Sequence, residues 1–378
     1  MFHHEGALQH PLRPGAYVEP RVFDTEMAQL FVPAWHFACL GRDVLRPGDQ
    51  VARDLAGVPI VIRNEGGELR AFVNVCAHRH STIAAPGWRN AATLRCQYHG
   101  WEYDADGALC RLPDGRSFKG MDAKAVALRR VSLEVLGPLV MATLNNDAPP
   151  FLASLGDFGT ELQRFFGNHR LLRLWTSEHA VNWKVIAENA VESYHVPQVH
   201  PATFRDFREP SLHDHTLHER YTRYLDLKPW ENDVVGIGAR SLSRLLLKSP
   251  TMKRFTQAHV FPGLLLYYGD LVSTLIALEP LGAGRTRHVV LSFVPRTLRG
   301  GALLRPLQWL FGQVFASLGE RILREDMRLW PAIQHGLAHS PHRGVLSCRE
   351  ERVHAFQTWV AAHVAEARAL SPGEGLAE

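Results

Sequence analysis

Cys76-Ala-His78 and Cys96-Gln-Tyr-His99 are two short motifs separated by seventeen residues, and they decide how the rest of the chain is interpreted. Each motif places an imidazole shortly after a potential thiolate ligand. Two cysteines and two histidines in this arrangement can bind a tetrahedral zinc ion or a [2Fe–2S] cluster whose two irons have different ligands. The spacing does not separate these alternatives, so the surrounding sequence has to.

The sequence around the two motifs is typical of a small β domain. Between residues 46 and 144, short β-rich runs such as 58–62 and 71–75 alternate with turn signals such as Asp104-Ala-Asp-Gly107. After Pro149-Pro150 the pattern changes to longer mixed segments. The length of 378 residues also favours more than one domain.

The second half of the chain has the pattern of an α+β domain. The periodicity predicts one helix near 157–166 and another from 303 to about 330, and it predicts strands at 264–268 and 288–294. No internal repeat interrupts this order.

A second group of potential metal ligands lies at His195 and His200. Five residues along an unbroken helix would point the two rings apart. We expect a kink or unwound turn at Pro197 to bring both rings to one ion. Glu188, Glu192 and His195 follow helical spacing, which predicts that they share one face.

The same ion would need a carboxylate, and the predicted helix near 318–330 offers one. Its apolar stripe passes through Asp326, whereas Glu325 falls on a charged face with Arg321 and Arg328. An inward carboxylate is costly unless a metal or hydrogen bonds satisfy it. Two histidines and one carboxylate form the facial triad of Fe(II) oxygenases.

Together these stretches resemble one known family. Asn74–Arg79 and Cys96–Gly107 resemble the two loops of Rieske domains, and pairing each cysteine with a histidine of its own loop suits a cluster held by two β-hairpin tips. The block 182–201, with Glu325-Asp326 and Gln334-His-Gly-Leu337, resembles the catalytic domain of Rieske non-haem iron oxygenase α subunits, in the same order. The resemblance covers nearly the whole chain.

The resemblance implies an α+β fold in which a small all-β Rieske domain, residues 36–148, is inserted near the N-terminus of a helix-grip (START-like) catalytic domain, residues 1–35 and 149–378. It implies a [2Fe–2S] cluster, a mononuclear Fe(II) and O2 as co-substrate. The implied cluster ligands are Cys76, His78, Cys96 and His99; the implied iron ligands are His195, His200 and Asp326. Glu192 is implied to bridge the two metal centres.

The implied partners are a small-molecule substrate, a separate reductase of flavin or ferredoxin type, and two further copies of the chain in a homotrimer. Gly236-Ile-Gly238 is the nearest approach to a dinucleotide-binding motif, but Ser241 occupies the third glycine position. We therefore expect another protein to bind NAD(P)H. The trimer would place His99 of one subunit against Glu192 of the next.

Charge and composition exclude several other classes. The net charge of +4 is scattered, which argues against nucleic-acid binding. The longest apolar run, 261–278, is broken by Pro262 and Asp270, so no membrane span is expected. Five cysteines do not form a secreted disulfide framework, and we expect a cytoplasmic protein.

The remaining cysteines and histidines have simple predicted roles. Cys39, Cys110 and Cys348 are expected to be buried thiols. His213, His215 and His218 lie in a polar stretch and are expected to be solvated, as are His335, His339 and His342.

Three function classes remain. The first is an oxygenase that dihydroxylates an aromatic ring, or hydroxylates or demethylates another small molecule. The second is a Rieske electron-transfer protein without oxygenase activity, which leaves the triad and the long second domain unexplained. The third is a ligand-binding module with degenerate metal sites. Iron content separates them, with three, two or no irons expected per chain. Within the first class, the glutamate at position 192 is similar to the residue found in relatives that act on quaternary ammonium compounds.

Overall fold

The computed structural model describes residues 2–201, 213–226, 241–247, 255–296, 298, 301–365 and 367. The chain forms two compact units: Phe31–Gly167, and Met1–Leu30 together with Asn168–Glu378. The Gly236–Gly238 stretch lies outside the described residues.

The strands of the described residues are, in chain order, β1 (Leu8–Gln9), β2 (His36–Leu40), β3 (Asp49–Leu55), β4 (Val58–Glu65), β5 (Glu68–Val73), β6 (Gly87–Asn90), β7 (Leu94–Arg95), β8 (Glu102–Tyr103), β9 (Leu109–Arg111), β10 (Ser132–Leu136), β11 (Leu139–Thr143), β12 (His169–His179), β13 (His213–Leu217), β14 (Tyr221–Asp226), β15 (Thr256–Val260), β16 (Leu264–Tyr268), β17 (Ser273–Gly282), β18 (Arg285–Pro295) and β19 (Val345–Leu346). The α-helices of the described residues include α1 (Pro20–Glu26), α2 (Asp157–Gly167), α3 (Trp183–Val191), α4 (Val196–Val199), α5 (Arg305–Met327), α6 (Trp330–His339) and α7 (Glu351–His363).

The Phe31–Gly167 unit is built from antiparallel strands, with α2 at its end. Its sheets have the strand orders β5-β4-β3-β6, β10-β11-β2 and β7-β8-β9. The apolar run of β4 is buried on both faces because alternate side chains enter different cores. Ile60 and Ile62 pack with the β2 and β11 side chains, whereas Val61 packs with Phe72 and the two predicted cluster cysteines.

One glycine is required by this second core. Gly107 has φ +82°, and a Cβ built there would lie 2.5 Å from the ring of Phe72. The Asp104–Gly107 turn predicted from the sequence is therefore fixed both by backbone conformation and by close approach.

The other unit is centred on a seven-stranded antiparallel sheet in the order β12-β18-β17-β16-β15-β14-β13. Helix α5 packs against β12 and β18, and α7 packs against β13, β14 and α3. The residues of β18 from His288 to Pro295 are buried without interruption, as expected for a central strand covered on both faces.

The predicted α+β fold class, with an all-β unit interrupting the catalytic unit, is confirmed. The predicted helix near 157–166 and the strands at 264–268 and 288–294 are also present. The helix predicted from 303 to about Trp330 corresponds to α5, which ends at Met327. A separate helix, α6, begins at Trp330 with Pro331 in its first turn, where the missing N–H of proline is tolerated. The domain limits 36 and 148 stay a prediction. Within the described residues, no helix combines the length and apolar character needed to cross a membrane.

Candidate metal centres

Both predicted cluster loops are tight turns closed by backbone hydrogen bonds. The Cys76 N–H donates to the Ser81 carbonyl at 2.9 Å, and the Cys96 N–H donates to the Trp101 carbonyl at 2.8 Å. The Asn74 side chain braces the first loop, since it accepts from the N–H groups of Ile83 and Ala84. Gly100 has φ +73°, a conformation that allows the second loop to reverse directly after His99.

The structure brings the four predicted cluster ligands together at these loops. Cys76 and Cys96 are 1% and 2% exposed, and neither forms a disulfide. The rings of His78 and His99 lie 4.5 Å apart between centroids. The Nδ1 atom of His78 is buried and forms no hydrogen bond with the described residues, a costly state unless another group binds it. Two buried thiols beside two imidazoles fit a [2Fe–2S] cluster of the Rieske type.

Tyr103 is a functional candidate that the sequence analysis missed. Its hydroxyl lies 3.1 Å from the Cys76 sulfur and accepts a hydrogen bond from the Ala77 N–H at 3.0 Å. Burial raises the pKa of Cys76, and the Tyr103 hydroxyl partly opposes that rise. The sequence signal was present, because Tyr103 lies shortly after the Cys96–His99 motif, but a tyrosine in a strand is ordinary.

The second predicted site lies at a break between two helices. Helix α3 ends at Val191, Glu192 is its extended C-cap, and α4 begins after His195. His195 and His200 therefore flank a four-residue helix. The predicted kink at Pro197 is wrong: Pro197 lies in the first turn of α4, where proline is favoured, and the chain unwinds earlier, at residues 192–195.

Asp326 of helix α5 meets the two histidines. Its Oδ1 atom lies 3.0 Å from Nε2 of His200 and 3.4 Å from Nε2 of His195. Ligand atoms of all three residues lie within 4.8 Å of one another. Oδ1 is buried yet lacks a well-directed hydrogen bond within the described residues, so the three groups point to one common position. This donor set fits a mononuclear iron with open coordination positions.

Each histidine is held by a carboxylate on its other nitrogen. Nδ1 of His195 hydrogen-bonds to Glu192, and Nδ1 of His200 lies 2.8 Å from Oε2 of Glu325. A proton on Nδ1 leaves the Nε2 lone pair for a metal. The prediction that Glu325 lies on a charged outer face is therefore incomplete, since it faces His200 as well as Arg321.

The charges at this site favour a cation. Burial alone would lower the pKa of His195, but the carboxylates of Asp326 and Glu192 outweigh it and raise the pKa to about 9. Burial raises the pKa of Asp326, yet the two imidazoles bring it below its usual value. Glu192 also accepts hydrogen bonds from the N–H groups of Tyr194 and His195, so its carboxylate is fixed toward the histidine.

Glu188 does not share a face with Glu192, contrary to the prediction, because the helix ends between them. Its carboxyl is buried among other side chains and accepts a 2.5 Å hydrogen bond from the Tyr17 hydroxyl. Burial raises the pKa of Glu188 to about 7. We assign it to the packing of α3.

A cavity of about 350 Å³ adjoins the triad. It is lined by the triad itself and by side chains that include Trp175, Glu192, His213, His215, Tyr224, Phe255, Gln257, Tyr267, Ile276, Val290, Leu323, Arg349 and Arg352. Its size and largely aromatic and aliphatic lining suit a small organic molecule.

His213 and His215 are not solvated, which corrects the sequence prediction. They are 2% and 6% exposed on β13, where they alternate with the exposed Asp214 and Thr216. The alternation was the signal that could have placed them inward. Of the three other cysteines, Cys39 is buried as predicted, whereas Cys110 is exposed and Cys348 is half-buried. His335, His339 and His342 are exposed.

Comparison with known families agrees with this geometry. Residues 34–125 match the Rieske [2Fe–2S] domain, and residues 166–366 match the catalytic domain of the ring-hydroxylating α subunit. The chain belongs to the Rieske ring-hydroxylating oxygenase family. It is an oxidoreductase with a [2Fe–2S] domain and a catalytic domain that binds mononuclear iron and uses O2.

Similar members of the family act on different substrates. The chain is 26% identical to choline monooxygenase of spinach, over 91% of this chain and 76% of the relative. Among solved structures, a quaternary ammonium Rieske monooxygenase described for carnitine oxidation and inter-subunit electron transfer has a TM-score of 0.74, with 22% identity over 95% of this chain and 96% of its own. Naphthalene 1,2-dioxygenase bound to phenanthrene has a TM-score of 0.75, with 18% identity over 96% and 95% of the two chains. The last two likenesses show the fold alone.

Proposed function

We propose that this chain is the terminal oxygenase component of a multicomponent system, which uses O2 and electrons from a separate NAD(P)H-dependent reductase to hydroxylate or demethylate a small organic substrate. The observation that carries the proposal is the convergence of His195, His200 and Asp326 on one position beside a largely apolar cavity. Aromatic acids and quaternary amines are the substrate classes that the relatives and the cavity support.

The cluster ligands, the two glutamates and the cavity have different roles in this proposal. The cluster supplies electrons and the iron supplies the oxygen chemistry when both are bound. Cys76, Cys96, His78 and His99 would hold the cluster. Glu192 and Glu325 orient the two iron-binding imidazoles, and the cavity orients the substrate and excludes water.

We further propose a homotrimer in which His99 of one subunit meets Glu192 of the next. The His99 imidazole is exposed in the single chain, and the Glu192 carboxylate bonds to His195 and to the backbone N–H of Tyr194, a residue that is 53% exposed. A carboxylate hydrogen-bonded to an imidazole on each side would link the two sites and hold a shared proton. The relative known for inter-subunit electron transfer supports this arrangement.

The test is oxygen-dependent turnover by anaerobically purified, iron-loaded protein with a surrogate reductase and NADH. The substrates are a panel of aromatic acids, methylamines and betaines, and products are read by mass spectrometry with labelled dioxygen. Incorporation of label, or release of a methyl group as formaldehyde, is expected. If the cluster reduces and reoxidises but only two irons bind per chain, the electron-transfer alternative is correct.

Asp326→Ala separates the two metal centres. The variant should keep the visible spectrum of the cluster but bind one iron fewer and lose product formation by at least ~100-fold, because the triad loses its only carboxylate. Asp326→Glu is the matched control that retains a carboxylate. Full turnover by the alanine variant would place the third ligand elsewhere.

A further inference from the structure

Arg352 is a buried cation for which the described residues provide no carboxylate partner. It is the second residue of α7, is 1% exposed and lines the cavity beside the triad. Its Nη1 donates to the Val191 carbonyl at 3.1 Å and to the Gln257 side chain at 2.7 Å, and its Nε donates to the Thr222 hydroxyl at 3.3 Å. All three acceptors are neutral.

The remaining nitrogen of the guanidinium has no hydrogen-bond partner in the described part of the chain. Nη2 is buried and forms no hydrogen bond with any described residue. A buried charge that is neither paired nor fully hydrogen-bonded is strongly unfavourable. Burial lowers the pKa of Arg352 to about 9, which reflects the same cost.

The neighbouring acidic residue is already occupied. Glu351 accepts a hydrogen bond from Nδ1 of His215 at 2.8 Å, and the N–H groups of His3 and His4 donate to it at 2.7 and 3.0 Å. Arg352 also lies in the first turn of α7, where the helix dipole disfavours a cation and favours an anion. Both features favour binding of an anion that is not part of the chain.

The cavity supplies the rest of the recognition. Trp175, Tyr267, Ile276 and Val290 offer flat and aliphatic surfaces to an apolar body. The Val191 carbonyl, which holds Arg352, directly precedes Glu192, so the guanidinium lies next to the segment that carries His195. An anionic group on Arg352 would therefore anchor a molecule beside the triad.

We propose that Arg352 binds the carboxylate of the substrate, which is an organic acid with a small apolar or aromatic body. The inference rests on the proposed oxygenase function and deepens it. It predicts that the chain binds acids, including betaines, in preference to neutral aromatic compounds and to cations without a carboxylate. His215 does not replace Arg352, because its Nδ1 is already bonded to Glu351 and burial lowers its pKa.

The test compares acids with matched compounds that lack the carboxylate. Calorimetric titration of the anaerobic holoenzyme would use benzoate against benzamide, phenylacetate against phenylacetamide, and glycine betaine against choline. At least one acid should bind about tenfold or more tightly than its partner, the size of a charge-assisted hydrogen bond. The absence of acid preference in every pair would overturn the inference.

Variants assign the preference to one residue. Arg352→Met should abolish the acid preference, which is measured in each variant as the ratio of the acid affinity to the affinity for its neutral partner. Arg349→Met is the matched control, because Arg349 also lines the cavity but is half-buried and lies 5.8 Å from the Phe2 ring centroid. Loss of preference in Arg349→Met alone would overturn the assignment to Arg352. Iron content is measured in every variant, and where it equals that of the wild type, direct ligation of the acid to iron cannot explain a loss.

Arg352→Lys decides the question if Arg352→Met does not fold. Lysine keeps the charge but loses the planar fork, so the acid preference should fall severalfold without disappearing. An unchanged preference would contradict the proposal. These binding measurements need no turnover, so acid binding by a chain that fails the labelled-dioxygen test would overturn the oxygenase function and leave the Arg352 site standing.

Discussion

At the scale of single residues, Tyr103 is the side chain best placed to tune the cluster. A hydrogen bond to a ligating thiolate stabilises the more negative, reduced state and so raises the reduction potential. Tyr103→Phe removes about 1 kcal/mol of this interaction, which corresponds to a fall of about 40 mV for a one-electron couple.

A redox titration followed by the visible spectrum measures this shift. Tyr98→Phe is the matched control, because Tyr98 loses the same hydroxyl but bonds to Arg79 instead of a cysteine. An equal fall in both variants would mean that the Tyr103 hydroxyl has no specific effect on the cluster.

Glu325 has a comparable role at the iron site. Its hydrogen bond to Nδ1 of His200 fixes the ring orientation, so Glu325→Gln should weaken iron binding about 10- to 100-fold. Iron affinity is measured by competition with a chelator. Glu320→Gln is the control, because Glu320 lies on the same helix but pairs with Arg173 and Arg324. A similar loss in the control would indicate a general electrostatic effect.

The sequence predicts the metal ligands better than it predicts the residues that hydrogen-bond to those ligands and orient them. His195, His200 and Asp326 have distinctive chemistry and spacing, and the structure brings them together. Glu325 could not be placed from the sequence, because a helix position between an inward and an outward face is settled only by packing. Arg352 had no signal at all, since a single arginine near the start of a helix is ordinary.

At the scale of elements, the break between α3 and α4 gives the iron site its shape. The sequence indicated that a regular helix could not bring the His195 and His200 rings together, and the helix is indeed interrupted before His195. The predicted position of the break was wrong because Glu192 satisfies the exposed N–H groups of Tyr194 and His195, which makes unwinding favourable at residues 192–195, before Pro197.

Glu192→Gln tests the function of that break. The amide retains one acceptor oxygen but loses the charge, so product formation per bound iron should slow about tenfold or more while the cluster spectrum stays unchanged. Stopped-flow reoxidation of the reduced cluster in the presence of O2 and substrate provides the measurement. Glu192→Asp retains the carboxylate and should recover part of the rate. An unchanged rate in Glu192→Gln would remove this residue from the proposed link between subunits.

At the scale of the whole molecule, several of the chain's 21 histidines stabilise the folded state only while they are neutral. His288 on β18 is fully buried against His179 and Trp330, and neither of its ring nitrogens forms a hydrogen bond with the described residues. Burial lowers its pKa to about 3. The unfolded chain therefore binds the proton first, and stability is lost as the pH falls below about 6.5.

His288→Phe removes this titration and keeps an aromatic ring in the core. Relative to wild type, the variant should gain about 1.4 kcal/mol between pH 7.5 and pH 5.5, or about 3 °C in unfolding midpoint, because the wild-type histidine is increasingly protonated on unfolding. Thermal unfolding at the two pH values measures the difference, in which the titration of all other groups cancels. His335→Phe is the control, since His335 is exposed on α6 and its replacement should shift both midpoints equally. If the difference in unfolding midpoint between His288→Phe and wild type does not change with pH, the folded core does not lower the pKa of His288.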